Sequence, residues 1–559
     1  MLRERMLFAA FSSAARTLGQ LVRRPSGILW LCACLALVAL ACAELQLIGD
    51  FRVDDAYITF SFSKNLASGN GPIFSHGLRV EGYSNFLWML LVALGYLFAP
   101  RADPYITARF FSLLALGFIA VAVYRLVRRY TRPLAALVAV ALLFSCSDLF
   151  RAAMSGLETA SFCAAVLGGW YAYLSEPAGN RKWSLCAFLP AALLRIDGFV
   201  PLLVALGFEV LSAFNERRFS FKVLSRWVIP VVAVWGVYFA WRYAYYGLPL
   251  PTTYYAKSLV TANDPNRGVH QLWTFVHDYC LMAIIPVALT PLFWGPRREA
   301  AALWSATVSQ LGYAAYVGGD WMPFHRFLLP VVPLGAVLAG WGLDRCFRSV
   351  RSLRALLAWP LRAGFVALVA VVAVHMYAAT IESSEEAQKL ALAQHTERHT
   401  KQNLIDSADL MKYVIRRPGE RLVTDYAGVF SVMTDAHIID MWGLCNADIA
   451  LHGGIAGINP VYGKECARCY ARLDPEYFHV TVPIVRGPDA FQNQREIIND
   501  IFQGWAIDRV IGLQRHFVVG RVLERNTGRT LWFLEKRRPG LSYGARTPKA
   551  GLVVDYPFG

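Results

Sequence analysis

The fold is decided by the stretch 28–55, which reads ILWLCACLALVALACAELQLIGDFRVDD. Residues 28–43 are all apolar, and the stretch ends at two adjacent carboxylates, Asp54 and Asp55. An α-helix needs about 20 mostly apolar residues to cross a bilayer. Ionisable groups at a membrane boundary are costly to desolvate and point to a functional site. The stretch therefore predicts a membrane protein whose polar chemistry begins at the membrane surface.

The composition of the whole chain agrees with this interpretation. Of 559 residues, 56% are apolar and 17% are charged, whereas a soluble domain carries about a quarter charged residues. A soluble enzyme is thereby excluded. The hydropathy pattern predicts about 11 transmembrane helices, which begin near Ile28, Tyr105, Leu134, Leu157, Ser184, Phe199, Trp227, Leu272, Ala300, Phe327 and Leu356.

The positive charge follows the connections between these spans. The 55 Lys and Arg exceed the 39 Asp and Glu, and they concentrate in short loops such as 125–132 and 345–354. The positive-inside rule places these loops in the cytoplasm. That alternation requires the apolar stretch 84–100 to be an interfacial juxtamembrane or re-entrant helix. Topology explains the excess charge, so we expect the bilayer and no nucleic acid as a partner.

A polar domain follows the last span. We expect residues 1–380 to form a helical membrane domain and residues 381–559 an α/β domain on the extracytoplasmic side, because an odd number of crossings separates it from a cytoplasmic N-terminus. Strands are predicted at 421–424, 437–441, 478–484, 509–513 and 530–534. Cys466 and Cys469 form a CxxC pair there, for which a local disulfide is the simplest interpretation; a redox pair and half a zinc site stay open.

The loops on the outer face carry most of the unusual polar clusters. They contain Asp54 and Asp55, Glu158, Arg195 with Asp197, Lys257, and Asp320 with Arg326. Any single pair among these could be an ion pair that anchors a helix end. Five such loops on one face are harder to explain in that way, so this face is the predicted site.

Asp54 and Asp55 are the sharpest feature of these loops. Consecutive side chains on a helix diverge by about 100°, so the two carboxylates cannot address one atom in the same way. One could be a general base while the other holds a metal ion, a phosphate-bridging cation or an arginine. The competing interpretation is a helix N-cap, in which Asp54 or Asp55 accepts free backbone amides of the helix that starts near Ala56.

Several motifs resemble those of a known superfamily. The segments 54–60 and 80–88 resemble the first outer loop of bacterial GT-C glycosyltransferases, and the mycobacterial terminal β-(1→2)-arabinofuranosyltransferase group is the most similar. The segments 155–159, 194–198, 253–257 and 318–322 also resemble motifs of that group, in the same order. The resemblance covers the membrane portion and is much weaker after Ala379.

The resemblance implies a GT-C fold and transfer of a sugar from a polyprenyl-phosphate donor, with inversion, at the outer face of a bacterial cytoplasmic membrane. Arabinofuranose is the leading donor sugar, and the acceptor is a cell-envelope glycan or glycolipid. It makes Asp54 the first choice as base and Asp55 the second. The other implied roles are sugar orientation by Glu158 or Asp197, phosphate contacts from Arg195, Lys257, His325 and Arg326, and further substrate contacts from Tyr57, Glu81, Tyr254, Tyr255, Asp320 and Trp321.

Some alternatives stay open at this stage. No cofactor is certain, and a divalent metal could be held by Asp54 or Asp55. For the aromatic residues, anchoring at the membrane interface competes with ligand contact. A related enzyme could use another lipid-phosphate sugar to modify lipopolysaccharide or protein. A transporter or flippase would place charges near the bilayer midplane in paired halves, and neither is evident; a non-catalytic assembly partner would tolerate loss of Asp54 and Asp55.

Overall fold

A computed structural model describes residues 25–75, 77–176, 184–215, 217, 221–261, 266–279, 281–320, 325–351, 401–452, 467–479, 513–526 and 529–557. Before residue 352 the described chain is helical, and the helices are Pro25–Ile48, Asp54–Ala67, Phe86–Phe98, Pro104–Arg128, Pro133–Phe144, Ser147–Met154, Thr159–Ser175, Leu189–Leu194, Phe199–Asn215, Phe221–Tyr246, Thr252–Thr261, Arg267–Asp278, Leu281–Trp294, Arg297–Tyr316 and Val331–Arg351. Two short 3-10 turns, Cys186–Phe188 and Ile196–Gly198, lie between them.

The helix Pro104–Arg128 shows how the sequence sets these elements. Asp103 caps its start, since the carboxylate accepts the backbone N–H of Tyr105 at 3.1 Å, and Pro104 occupies the first turn, where its missing N–H costs nothing. Phe110 and Leu114 are exposed along its outer side, whereas Ile119 is fully buried. A large exposed apolar surface of this kind fits a lipid environment. The protein is membrane-embedded.

The number of crossings is not confirmed. Among the described residues, two helical stretches, Pro104–Arg128 and Ile196–Asn215, are long and apolar enough to cross a membrane. Two bent pairs, Pro133–Phe144 with Ser147–Met154 and Arg267–Asp278 with Leu281–Trp294, raise the total to four if each is one span. The predicted span near Leu356 lies outside the described residues. Helix Phe86–Phe98, with 13 residues, has the short length expected for an interfacial helix in the stretch 84–100.

The polar part of the chain contains a seven-stranded mixed sheet in the order β2-β1-β3-β5-β4-β7-β6. The pairs β1–β2 and β1–β3 are parallel, and the remaining pairs are antiparallel. The strands are β1 Arg421–Thr424, β2 His437–Asp440, β3 Tyr477–His479, β4 Phe517–Glu524, β5 Arg529–Lys536, β6 Arg546–Lys549 and β7 Leu552–Asp555. The described helices beside them are Lys401–Met411, Ala427–Met433, Ala447–His452, Ala467–Leu473 and Leu513–His516.

The predicted α/β character of this region agrees with the structure, and the strands near 421, 437, 478 and 530 are present. Most of the predicted strand 509–513 lies outside the described residues, and Leu513 begins a helix instead. Strands β4, β6 and β7 were not predicted. The boundary near residue 380 also lies outside the described chain. Cys469 is disulfide-bonded, whereas Cys466 lies outside the described residues.

Candidate functional site

Arg195 is the centre of a buried charge cluster in the membrane domain. It follows the short helix Leu189–Leu194 in extended backbone. Its Nε and Nη2 donate to the two carboxylate oxygens of Asp197 at 2.9 and 3.3 Å, and its Nη1 donates to Glu158 Oε1 at 3.2 Å. The other oxygen of Glu158 accepts Asn85 Nδ2 at 2.8 Å, and Asp197 also accepts Gln310 Nε2 at 3.2 Å. These charges are paired, which is what allows them to be buried.

A second arginine lies close to the first. Arg326 donates to Asp320 through Nε at 2.6 Å and through Nη2 at 3.3 Å. The guanidinium carbons of Arg195 and Arg326 lie 4.6 and 5.7 Å from the ring centroid of Phe327, so both cations lie within cation–π distance of the same ring. Burial raises the pKa of Asp320, but Arg326 and Lys257 outweigh it, so the pKa is below its ordinary value. This part of the site therefore keeps fixed charges of both signs.

Asp55 faces this cluster from the start of helix Asp54–Ala67. Its side chain is half-buried, and its charge interacts with those of Arg326 and Asp440. No described residue donates a hydrogen bond to it. Within the described part of the chain, Asp55 is therefore a carboxylate without a hydrogen-bond donor, and its charge acts on that of the buried Arg326.

Asp54 makes different contacts from its neighbour. Its Oδ2 accepts the backbone N–H of Gly428 at 3.0 Å, and its Oδ1 accepts that of Val429 at 2.7 Å. Both donors lie in the helix Ala427–Met433, which belongs to the sheet-containing part of the chain described from residue 401 onward, here called the outer domain. Burial raises the pKa of Asp54 to about 8, although the two amides oppose the shift, and the negative charge of Asp55 adds to it. The structure thus turns the two carboxylates towards different partners.

Asp440, at the end of β2, completes this group from the outer domain. Its carboxylate accepts the backbone N–H of Trp442 at 2.9 Å and of Cys445 at 2.8 Å, which orders the turn after the strand. Burial raises its pKa to about 6, against the effect of those amides. Asp440 was not predicted as a site residue. A carboxylate at a strand end was the signal that could have found it, but nothing in the sequence pairs that strand with Asp55.

Three predicted substrate residues are engaged in contacts away from Arg195. Glu81 forms a buried ion pair with Arg242. His325 Nδ1 lies 3.1 Å from Asp148 Oδ2, and its Nε2 lies 3.3 Å from Thr274 Oγ1. Tyr57 is buried, and its hydroxyl accepts Arg52 Nη1 at 3.1 Å. These side chains are held by other protein groups.

Three more predicted positions lie on helix Thr252–Thr261. Tyr254 is exposed, and its ring packs against that of Tyr255 with centroids 5.7 Å apart. Lys257 is exposed, and its charge acts on Asp320. Trp321 lies outside the described residues. The structure therefore brings together Asp55, Glu158, Arg195, Asp197, Asp320 and Arg326, with Lys257 at their edge.

A metal ion would need suitably spaced ligands. Within the described residues, no group of three or more His, Cys, Asp or Glu side chains is arranged to hold one. The carboxylate of Asp54 is oriented by the two backbone amides that it accepts. The described side chains do not assemble a dedicated metal site.

No protein-family model matches the chain. Over 273 residues it is 28% identical to a terminal β-(1→2)-arabinofuranosyltransferase of Mycobacterium tuberculosis. The match covers 45% of this chain and 42% of that relative. The match thus spans less than half the length of the relative.

Solved structures match more of the chain. ArnT from Cupriavidus metallidurans, bound to undecaprenyl phosphate, covers 91% of this chain and 98% of its own, with a TM-score of 0.56 and 14% identity. The archaeal oligosaccharyltransferase AglB from Archaeoglobus fulgidus, in complex with an inhibitory peptide and a dolichol-phosphate, covers 91% of this chain and 75% of its own, with a TM-score of 0.50 and 12% identity. At these identities the likeness concerns the fold.

Proposed function

Because the chain has the fold of the GT-C glycosyltransferases, we propose that it transfers a sugar from a polyprenyl-phosphate donor to a cell-envelope glycan or glycolipid. The observation that carries the proposal is the buried cluster in which Arg326 donates to Asp320 and shares the ring of Phe327 with Arg195, with Asp55 near enough for its charge to act on Arg326. Base and phosphate-binding cation are the two groups that such a transfer needs, since a lipid phosphate leaves without a strong general acid.

In the proposed reaction the carboxylate of Asp55 takes the proton of the acceptor hydroxyl. The acceptor oxygen then forms a bond to the anomeric carbon of the donor, and the bond from that carbon to the phosphate oxygen breaks. The lipid phosphate leaves with the electron pair, on the side opposite to attack, which inverts the anomeric configuration. Asp55 takes the role of base rather than Asp54, because both oxygens of Asp54 accept amides of the outer domain.

The cations have separate proposed roles. Arg326 uses Nε and Nη2 on Asp320, which leaves Nη1 to donate to the departing phosphate, and Lys257 adds an exposed charge at the edge. Arg195 uses Nε, Nη1 and Nη2 on Asp197 and Glu158, so it orders those carboxylates for contacts with sugar hydroxyls. The outer face of a bacterial cytoplasmic membrane is the proposed location.

Arabinofuranose is the proposed donor sugar. Its support is the sequence similarity to the mycobacterial arabinofuranosyltransferase across 273 residues. A second candidate is another lipid-phosphate sugar with a lipopolysaccharide or protein acceptor. It is favoured by the structural matches to ArnT and AglB, which extend over 91% of the chain.

The test is transfer of labelled sugar from synthetic polyprenyl-phosphate arabinofuranose to a short glycan acceptor by the purified protein, with and without a chelator. We expect turnover by the wild type and a loss of about a hundredfold or more in kcat for a folded Asp55→Asn variant. Turnover only with another lipid-phosphate sugar would select the second candidate. An Asp55→Asn variant with wild-type kcat would remove the base assignment, and an inactive wild type across a panel of donors would contradict the proposal.

A further inference from the structure

The helix that carries the proposed base forms hydrogen bonds with the outer domain. Helix Asp54–Ala67 lies along the short helix Ala427–Met433. Asp54 accepts the two amides at one end of that short helix, and Lys64 Nζ donates to the carbonyl oxygen of Val432 near its other end at 2.9 Å. The same side of one membrane-domain helix therefore binds both ends of one outer-domain helix.

Close backbone packing accompanies these charged contacts. A Cβ atom added to Gly428 would lie 2.2 Å from the carbonyl oxygen of Asp54 and 3.0 Å from the amide nitrogen of Ile58. Both are backbone atoms, so no side-chain movement could make room. Glycine at position 428 is what allows the two helices to approach near enough for Asp54 to reach both amides.

Two further contacts hold the neighbouring strand and turn. The backbone N–H of Ile438, in β2, donates to Ser75 Oγ at 3.2 Å, and Thr252 Oγ1 donates to the carbonyl oxygen of Leu444 at 2.5 Å. The turn between them begins at Asp440, whose charge acts on Asp55. The docked outer domain thereby brings the charge of Asp440 into interaction with that of the proposed base.

We propose that Asp54 is a positioning residue, which docks the helix Ala427–Met433 onto the first outer loop and so fixes Asp55 and Asp440 in the site. This inference rests on the proposed function for its catalytic part. It assigns the two adjacent acids to separate tasks, with Asp55 in contact with the acceptor and Asp54 in contact with the protein's own outer domain. Transfer therefore requires the two parts of the chain to be docked.

The experiment combines kinetics with hydrogen exchange on the full-length protein. The variants are Asp54→Asn, Asp54→Ala and Gly428→Ala, and the control is Gly207→Ala, where an added Cβ meets nothing within 4 Å. Asparagine keeps one acceptor oxygen, so kcat should fall in the order wild type, Asn, Ala, with the KM for the lipid donor unchanged. We expect exchange in 427–433 to rise about tenfold or more in Asp54→Ala, as for loss of two hydrogen bonds.

Gly428→Ala is the decisive variant, because it leaves Asp54 and Asp55 intact. It should lose kcat and protection of 427–433 together, whereas Gly207→Ala should match the wild type in both. Two results would overturn the inference. One is a wild-type kcat in Gly428→Ala although residues 427–433 have lost protection from hydrogen exchange. The other is equal inactivity of Asp54→Asn and Asp54→Ala with that protection retained. An inactive wild type would overturn the proposed function instead, and unchanged exchange in Asp54→Ala would then overturn docking by itself.

Discussion

The ion pair between Glu81 and Arg242 gives a prediction with a defined size. Arg242 Nε lies 3.1 Å from Oε1 and 2.9 Å from Oε2 of Glu81, and Nη2 also donates to Oε2. The side chains are 3% and 2% exposed. The backbone oxygen of Glu81 accepts the N–H of Thr252 at 3.1 Å, and Arg242 Nη1 donates to the carbonyl of Pro249 at 2.6 Å. The pair thus ties the first outer loop to the helix Phe221–Tyr246 and to the connection that follows it.

Replacing Arg242 by methionine leaves Glu81 buried without a counter-charge. Removing one partner of a buried ion pair costs roughly 3–5 kcal/mol, whereas replacing both partners by apolar residues of similar volume is often neutral. With an unfolding entropy of about 2.1 cal/mol/K per residue, a chain of 559 residues shifts by roughly 1 °C per kcal/mol, so Arg242→Met should lower the unfolding temperature by about 3–4 °C. The double variant Glu81→Leu/Arg242→Met should recover most of that loss.

The assay is thermal unfolding of detergent-solubilised protein followed by tryptophan fluorescence, together with KM for the lipid donor. The control is Arg348→Met, because Arg348 is 49% exposed beside Asp344 and should cost about 1 kcal/mol or less. If Arg242→Met unfolds at the wild-type temperature and Glu81→Gln raises KM selectively, Glu81 is a substrate contact. The structural explanation of its burial would then be refuted.

Three further outcomes are expected. Arg326→Lys keeps the positive charge but loses the paired hydrogen bonds to Asp320, so kcat/KM for transfer should fall about tenfold or more. An equal loss in Lys257→Ala would contradict the assignment of Arg326 as the main phosphate contact. Burial raises the pKa of Asp440 to about 6, so folding favours its neutral form. The unfolding temperature should therefore fall as pH rises from about 4 through 6. In Asp440→Asn the unfolding temperature should depend less on pH over the same range. His325 has φ of 47°, a conformation that asparagine tolerates, so His325→Asn should unfold at a higher temperature than His325→Ala; the reverse order would remove backbone strain as the reason.

The sequence predicted the elements whose signal is local. The strands at 421–424 and 530–534 are rich in apolar and β-branched residues, and the structure contains both. The short helix Phe86–Phe98 lies in the apolar stretch 84–100, for which the alternation of positively charged loops predicted a re-entrant or juxtamembrane helix. Bent pairs such as Pro133–Phe144 with Ser147–Met154, turned by 58°, carry a continuous apolar signal, and hydropathy alone does not show the bend.

Contacts distant in sequence account for what prediction missed. Arg195 and Asp197 are two residues apart, so their pairing was readable, whereas Glu81 and Arg242 are separated by 161 positions. The cap interpretation was wrong for the helix it concerned, because Val53 is the N-cap of helix Asp54–Ala67 and no side chain caps that helix. Asp54 instead accepts backbone amides of a different helix. The helix that supplies those amides lies 374 residues further along the chain, and no local pattern identifies it.

The adjacency of Asp54 and Asp55 follows from their separate contacts. On a helix, neighbouring side chains diverge by about 100°, which directs one carboxylate at the outer domain and the other at the charge of Arg326. An alanine inserted between them would turn the second carboxylate by about another 100°, while Asp54 could keep its amides. Such an insertion should preserve protection of 427–433 and abolish transfer. If docking alone were the function of this pair, the insertion would leave both unchanged.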